Sequence, residues 1–158
     1  MSAMRRRIAV FAMLPVLALA AIGCAEVHEQ TQAWRESPHG ASATAGEVDI
    51  RNALVVSDSA GNGTVFASFA NRGDEADALS AVIVGGIEAT PDGSDVDLPT
   101  GGVAAVAPDG SRVDVSGMDV APGRVVDVQF IFANAPRASV QTIVQPNEGI
   151  YADVTFGE

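Results

Sequence analysis

What most constrains this chain is how often it is interrupted. From residue 48 to residue 156 turn-forming clusters recur at spacings of roughly 8–12 residues, too close together for helices of ordinary length. Asp58, Gly61, Asn62 and Gly63 mark one interruption, and Asn71-Arg72-Gly73-Asp74 the next. Gly85-Gly86, Pro108-Asp109-Gly110 and the Gly117/Pro122/Gly123 loop follow. Gly, Asn, Asp and Pro act there because they accept or preset turn dihedrals. The intervening pieces alternate with period 2. Val65, Ala67 and Phe69 fall on one face and Phe66, Ser68 and Ala70 on the other; Val126, Val128, Phe130 and Phe132 share a face. Val48, Ile50, Asn52 and Leu54 alternate with Asp49, Arg51 and Ala53. The pattern predicts strands over 48–54, 64–71, 79–84, 87–90, 96–98, 103–107, 112–116, 125–133, 139–145 and 150–156. Such a series is an all-β sandwich. No helix longer than about two turns is expected after residue 47.

The first residues read differently. Arg5-Arg6-Arg7 precedes an apolar run over 8–22, broken only by Pro15, and Ala21-Ile22-Gly23-Cys24 ends it. A basic start, an apolar stretch and small residues before a cut are the marks of an export signal. The run falls short of the ~20 residues that a spanning helix needs. A cysteine directly after the small residues resembles a bacterial lipoprotein signal, which implies a diacylglyceryl group on Cys24 and cleavage before it. Two acyl chains hold a protein on a membrane where one is marginal. Residues 1–23 are thus expected to be a signal peptide and 24–46 a lipidated cysteine with a disordered tether. Residues 47–158 would be the folded domain, on the extracytoplasmic face of the cell membrane. The tether is polar and without period, apart from Trp34, a tether residue or interfacial anchor.

Charge and residue types exclude several functions. All nine basic residues are arginine, and three would leave with the signal, so six would face 20 Asp and Glu. That balance disfavours nucleic acid, which is gripped through Lys and Arg. Cys24 is the single cysteine, so no internal disulfide exists, and lipidation accounts for it. The only histidines, His28 and His39, precede the domain. The domain therefore holds no Ser-His-Asp or Cys-His triad, and no enzymatic activity is expected. Asp92, Asp95 and Asp97 share a loop, without the spacing or the bidentate Glu of a Ca²⁺ loop, and read as a solvated acidic turn. Asp74, Glu75 and Asp77 read likewise. His28, His39 and Met118 are the remaining weak metal candidates. The histidines read as solvated tether residues and Met118, the only Met after residue 13, as packing.

In order, Phe69-Ala70-Asn71-Arg72-Gly73-Asp74-Glu75-Ala76-Asp77-Ala78-Leu79, Leu98-Pro99-Thr100-Gly101-Gly102-Val103, Pro108-Asp109-Gly110, Gly117-Met118 and the strand to Phe132 resemble the periplasmic copper chaperone (PCuAC-type) family. The likeness runs from about residue 48 to 156 and leans toward an actinobacterial, LpqE-like lipoprotein branch. It implies an immunoglobulin- or cupredoxin-like sandwich. It also implies Cu(I) held by a central His and Met and a later His-x-Met before a Gly-Leu corner. This chain departs there. The His-x-Met places read Arg112 and Asp114, nothing from 79 to 111 is His or Met, and Met118 stands at the Leu place. A guanidinium only donates hydrogen bonds, and a carboxylate is a hard ligand. The reading is a membrane-anchored, non-catalytic binding module of the cell envelope, without cofactor, meeting an envelope protein or glycan. The alternative is a copper or other metal chaperone with a non-standard site. Tight Cu(I) binding by residues 47–158 is not expected.

Overall fold

The computed structural model describes residues 40–157. Ten strands follow in order: β1 Ala41–Ala45, β2 Val48–Ser57, β3 Gly63–Asn71, β4 Asp77–Val84, β5 Ile87–Ala89, β6 Val96–Leu98, β7 Val103–Val106, β8 Asp114–Val115, β9 Val125–Phe132 and β10 Ala138–Pro146. The one helical piece among the described residues is a 3₁₀ turn at Gly149–Tyr151. The expected all-β class is what forms.

The strands make two layers. β2 pairs with β1, β3 and β10, and β3 also carries β7 and β8. β4 pairs with β5, β6 and β9, and β9 with β10. β10 belongs to both layers. Its first part runs antiparallel to β9, from Ala138 opposite Phe130 to Ile143 opposite Val125. Its end, Val144 to Pro146, runs parallel to β2 at Val55 to Ser57. A strand that changes sheets is how a sandwich closes a corner. Between the layers Phe69 stands edge-on to Phe130 at 5.5 Å and to Phe132 at 5.9 Å. Each such aromatic pair adds ~0.5–1.5 kcal/mol beyond the area it buries. Val65, Leu79, Val82, Leu98, Val113, Val128 and Val144 complete a core closed to solvent. The faces predicted for 64–71 and 125–133 are the faces observed.

Three expectations need correction. The tether does not reach residue 46, and the fold does not begin at 47. Ala41–Ala45 is a strand, Ala43 opposite Ile50 and Ala45 opposite Val48. Small side chains gave it no apolar signal, yet they alternate between half-buried and exposed and fit an edge. Gly46, at φ 58°, makes the two-residue turn into β2, the conformation a II′ hairpin needs first. Second, the alternation of β2 changes phase. Asn52 adopts φ 53°, and the register with β3 slips between Arg51 and Leu54. This bulge turns Ala53 and Val55 inward and sends Leu54 and Val56 to the outer face. Third, residues 150–156 form no strand. A turn carries them back over the first sheet, and side chains meet their backbone groups where a ladder was expected.

Candidate functional site

The positions that the resemblance assigns to a His-x-Met pair lie beside β8. Arg112 and Asp114 are not vacant substitutes; they grip each other. Arg112 Nε donates to Asp114 Oδ2 at 3.1 Å and Nη2 to Oδ1 at 3.1 Å, a two-pronged pair. Planar guanidinium and carboxylate match in this way, and charge strengthens each bond. The remaining capacity is also spent. Arg112 Nη2 donates to the Thr155 carbonyl at 2.6 Å and Nη1 to Thr155 Oγ1 at 3.2 Å. Asp114 accepts the Gly157 amide at 3.0 Å and the Thr64 hydroxyl. Both side chains are largely covered, at 20% and 13% exposure. A carboxylate so occupied has no lone pair turned toward a cation, and the arginine beside it would repel one.

Met118 is placed by the corner before it, where its amide donates to the Gly61 carbonyl at 2.9 Å. Its side chain is 7% exposed and lies against Gly63, where a Cβ would meet Cε at 2.3 Å and Sδ at 3.1 Å. The thioether is therefore part of the core. Gly63 and Thr64 are consecutive strand residues, and consecutive side chains point to opposite faces. Met118 packs beneath β3 while the Arg112–Asp114 pair sits on its outer side. These three residues do not converge, and together they do not fit a Cu(I) ion.

The acidic turn resolves into structural roles. Asp77 accepts amides from Ala78 at 2.8 Å, Asn134 at 2.9 Å and Ala135 at 2.8 Å, tying β4 to the β9–β10 loop. Partial burial pushes its carboxyl up, but the amides of Ala78, Ala135, Asn134 and Ala133 together outweigh this and hold it below its ordinary value. Asn71, 3% exposed, donates to the carbonyls of Glu75 and Leu98 and accepts the Gly73 amide at 2.9 Å. Sequence reasoning marked Asn71 as a turn residue but gave no sign of its bond to Leu98. A cleft of about 260 Å³ lies nearby, between Val48, Pro136 and the 73–77 turn. Asp92, Asp95 and Asp97 stay exposed; only Asp95 has a side-chain partner, Ser80 at 3.3 Å. Among the described residues no three His, Cys, Asp or Glu side chains gather to hold a metal. At the β2–β3 tip the Asn62 side chain, ahead of backbone amides, holds the Asp58 carboxyl below its usual value. Cys24, His28, Trp34 and His39 lie outside the described residues, as do the signal and most of the tether.

Comparison with known proteins returns fold neighbours only. No family model and no curated protein matches this chain. Solved structures do. The copper-bound PCuAC domain from PmoF2 superposes with TM-score 0.57 at 16% identity, over 67% of this chain and 98% of that one. The apo PCuAC domain from PmoF1 gives 0.60 at 20% identity, over 67% and 99%. The apo PmoF2 PCuAC domain gives 0.55 at 16% identity, over 69% and 98%. The sandwich of this chain thus has the PCuAC fold along essentially the whole of those domains.

Proposed function

We propose that this chain serves copper handling in the cell envelope as a non-catalytic, PCuAC-fold domain held on the membrane through lipid at Cys24. The observation that carries the reading is the fold likeness to PCuAC domains, one of them bound to copper. The side chains restrict how such a role is filled. Arg112 and Asp114 are committed to each other, and Met118 is packed against Gly63. Imidazole suits copper, so the histidines left for cargo are His28 and His39. A Cu(I) competition titration of the whole chain tests this. Copper binding by the whole chain is expected, lost in the His28→Ala/His39→Ala double variant and kept in Met118→Leu. A whole chain that holds no copper removes the reading.

A specific observation favours a second reading, the binding module. The ion pair stands where the resemblance puts copper ligands, as in a scaffold turned to another partner. That partner would be an envelope protein or glycan; the acidic balance speaks against nucleic acid. Capture from membranes by a metal-free chain would support it, and copper-dependent capture would return the case to the first. Both readings place the domain at the outer face of the cell membrane. Cys24→Ser should release it to the medium or leave an uncleaved precursor. Processed Cys24→Ser protein still sedimenting with membranes would refute the anchor.

A further inference from the structure

Beyond Pro146 the chain leaves its ladder and lies back across the outer side of the first sheet. The Asn147 amide still reaches the Ser57 carbonyl at 3.1 Å. Gly149 then turns at φ 60°, and the 3₁₀ turn it opens buries nothing. Ile150 is 82% exposed. Residues 149–157 join no strand. Their own bonds are local, from Tyr151 to Glu148, Ala152 to Gly149 and Val154 to Tyr151. Their ties to the body are few. Arg112 holds Thr155 twice, Asp114 holds the Gly157 amide, Asn147 Nδ2 reaches the Val154 carbonyl at 3.2 Å, and Tyr151 tilts over Phe66 at 6.0 Å.

Part of this face is apolar. Leu54 is opposite Phe66 and Val56 opposite Thr64, so all four share the outer side. Leu54 and Val56 are buried although neither belongs to the core between the sheets. At the root of the segment, Ser57 Oγ and Asn147 Oδ1 are buried without a hydrogen-bond partner. Unmet polar atoms weaken the hold there.

We propose that residues 149–157 are a strap that lifts from the first sheet as one unit, latched by Arg112 and Asp114. The ties to Thr155 and Gly157 converge on two side chains that also hold each other, so loss of either frees both. Opening frees Phe66 from Tyr151 and leaves the core intact, because that core is on the other face of β2 and β3. When closed, the strap meets this face through Tyr151 over Phe66 and through Thr155 and Gly157 at the ion pair. The inference does not depend on copper.

Amide exchange of the whole chain, read by mass spectrometry, tests it. Elements that open locally exchange faster than those released only by global unfolding. The amides of Tyr151, Ala152, Val154 and Gly157 should exchange at least about tenfold faster than those of β9. Arg112→Gln should speed them about tenfold further, and they should stay at least about tenfold faster than β9. Equal rates in the strap and β9 of the unaltered protein would overturn the proposal, so a variant that fails to fold cannot protect it. A folded Arg112→Gln protein whose strap amides exchange no faster than in the unaltered protein would overturn it too. A chain ending at Glu148 provides a second arm. It should keep its sheets and bind an apolar dye more strongly, and unchanged dye binding counts against the strap.

Discussion

If Met118 is core packing, it must compete for space with whatever replaces Gly63. An alanine Cβ at residue 63 would stand 2.3 Å from Met118 Cε and 3.3 Å from Val55 Cγ1. Gly63 is not in the left-handed region, so the backbone tolerates alanine. Losing the glycine's unfolded-state freedom stabilises by about 0.4–1 kcal/mol. Displacing a packed side chain costs about 1–3 kcal/mol, here nearer the low end because Cε is the flexible tip. Gly63→Ala alone should therefore destabilise by about 0–2 kcal/mol. Met118→Ala alone should cost about 2–3 kcal/mol, the lower part of the Met→Ala range, since the site is near the rim. In that background the alanine at 63 enters the space the thioether left, and its cost should vanish or become a gain of up to about 1 kcal/mol. The cycle should thus show a coupling of about 1–2 kcal/mol, within the range for residues in contact. Urea unfolding of the four proteins measures it. Additivity within about 0.3 kcal/mol, the behaviour of independent sites, would mean the sulfur is not lodged on Gly63.

Two further outcomes follow from the fold. Phe69→Ala removes a ring that touches both Phe130 and Phe132, and should cost about 3–5 kcal/mol in urea, a large share of a domain's total. Asp77 should make stability sensitive to acid: its folded pKa is depressed, so its contribution is full above the unfolded carboxyl pKa of about 3.9 and is lost as pH falls through the folded value. Asp77→Asn should cost about 1–3 kcal/mol at neutral pH, because one of its oxygens no longer accepts an amide, and should flatten the stability profile below about pH 4.

Much of the sandwich was legible because most strands obey a local rule. In β3 and β9 each side chain's face follows from its neighbour's, so Val65, Ala67, Phe69, Val126, Val128, Phe130 and Phe132 could be assigned from order alone. β2 breaks the rule at one residue. Asn52 takes a conformation that few side chains accept, and everything after it reverses phase. An asparagine in a strand hints at this but does not reveal it. β1 was hidden for another reason: alanine, serine and threonine carry little hydropathy, and pairing with Val48 and Ile50 holds the strand. The mistake at 150–156 is the reverse. Its alternation is genuine, but Arg112 and Asp114 take up backbone groups of Thr155 and Gly157, and no local pattern reports partners so distant in sequence.

The candidate site was half legible for the same reason. That Arg112 and Asp114 do not suit a copper ion could be seen from their chemistry. That through Thr155 and Gly157 they also hold residues 149–157 depends on partners more than 40 positions away. Two explanations of the pair predict different things. Were it only a surface ornament, exposure and salt would hold its worth within about 1 kcal/mol. It is instead largely covered and met by donors and acceptors on every side, so removing one partner strands a charge. Asp114→Asn and Arg112→Gln should then each cost more than the double variant with apolar residues of similar size, Arg112→Met/Asp114→Leu. If the double variant is the least stable of the three, the pair holds the strap by its net attraction. If the single variants are worse, the pair endures because each charge requires the other.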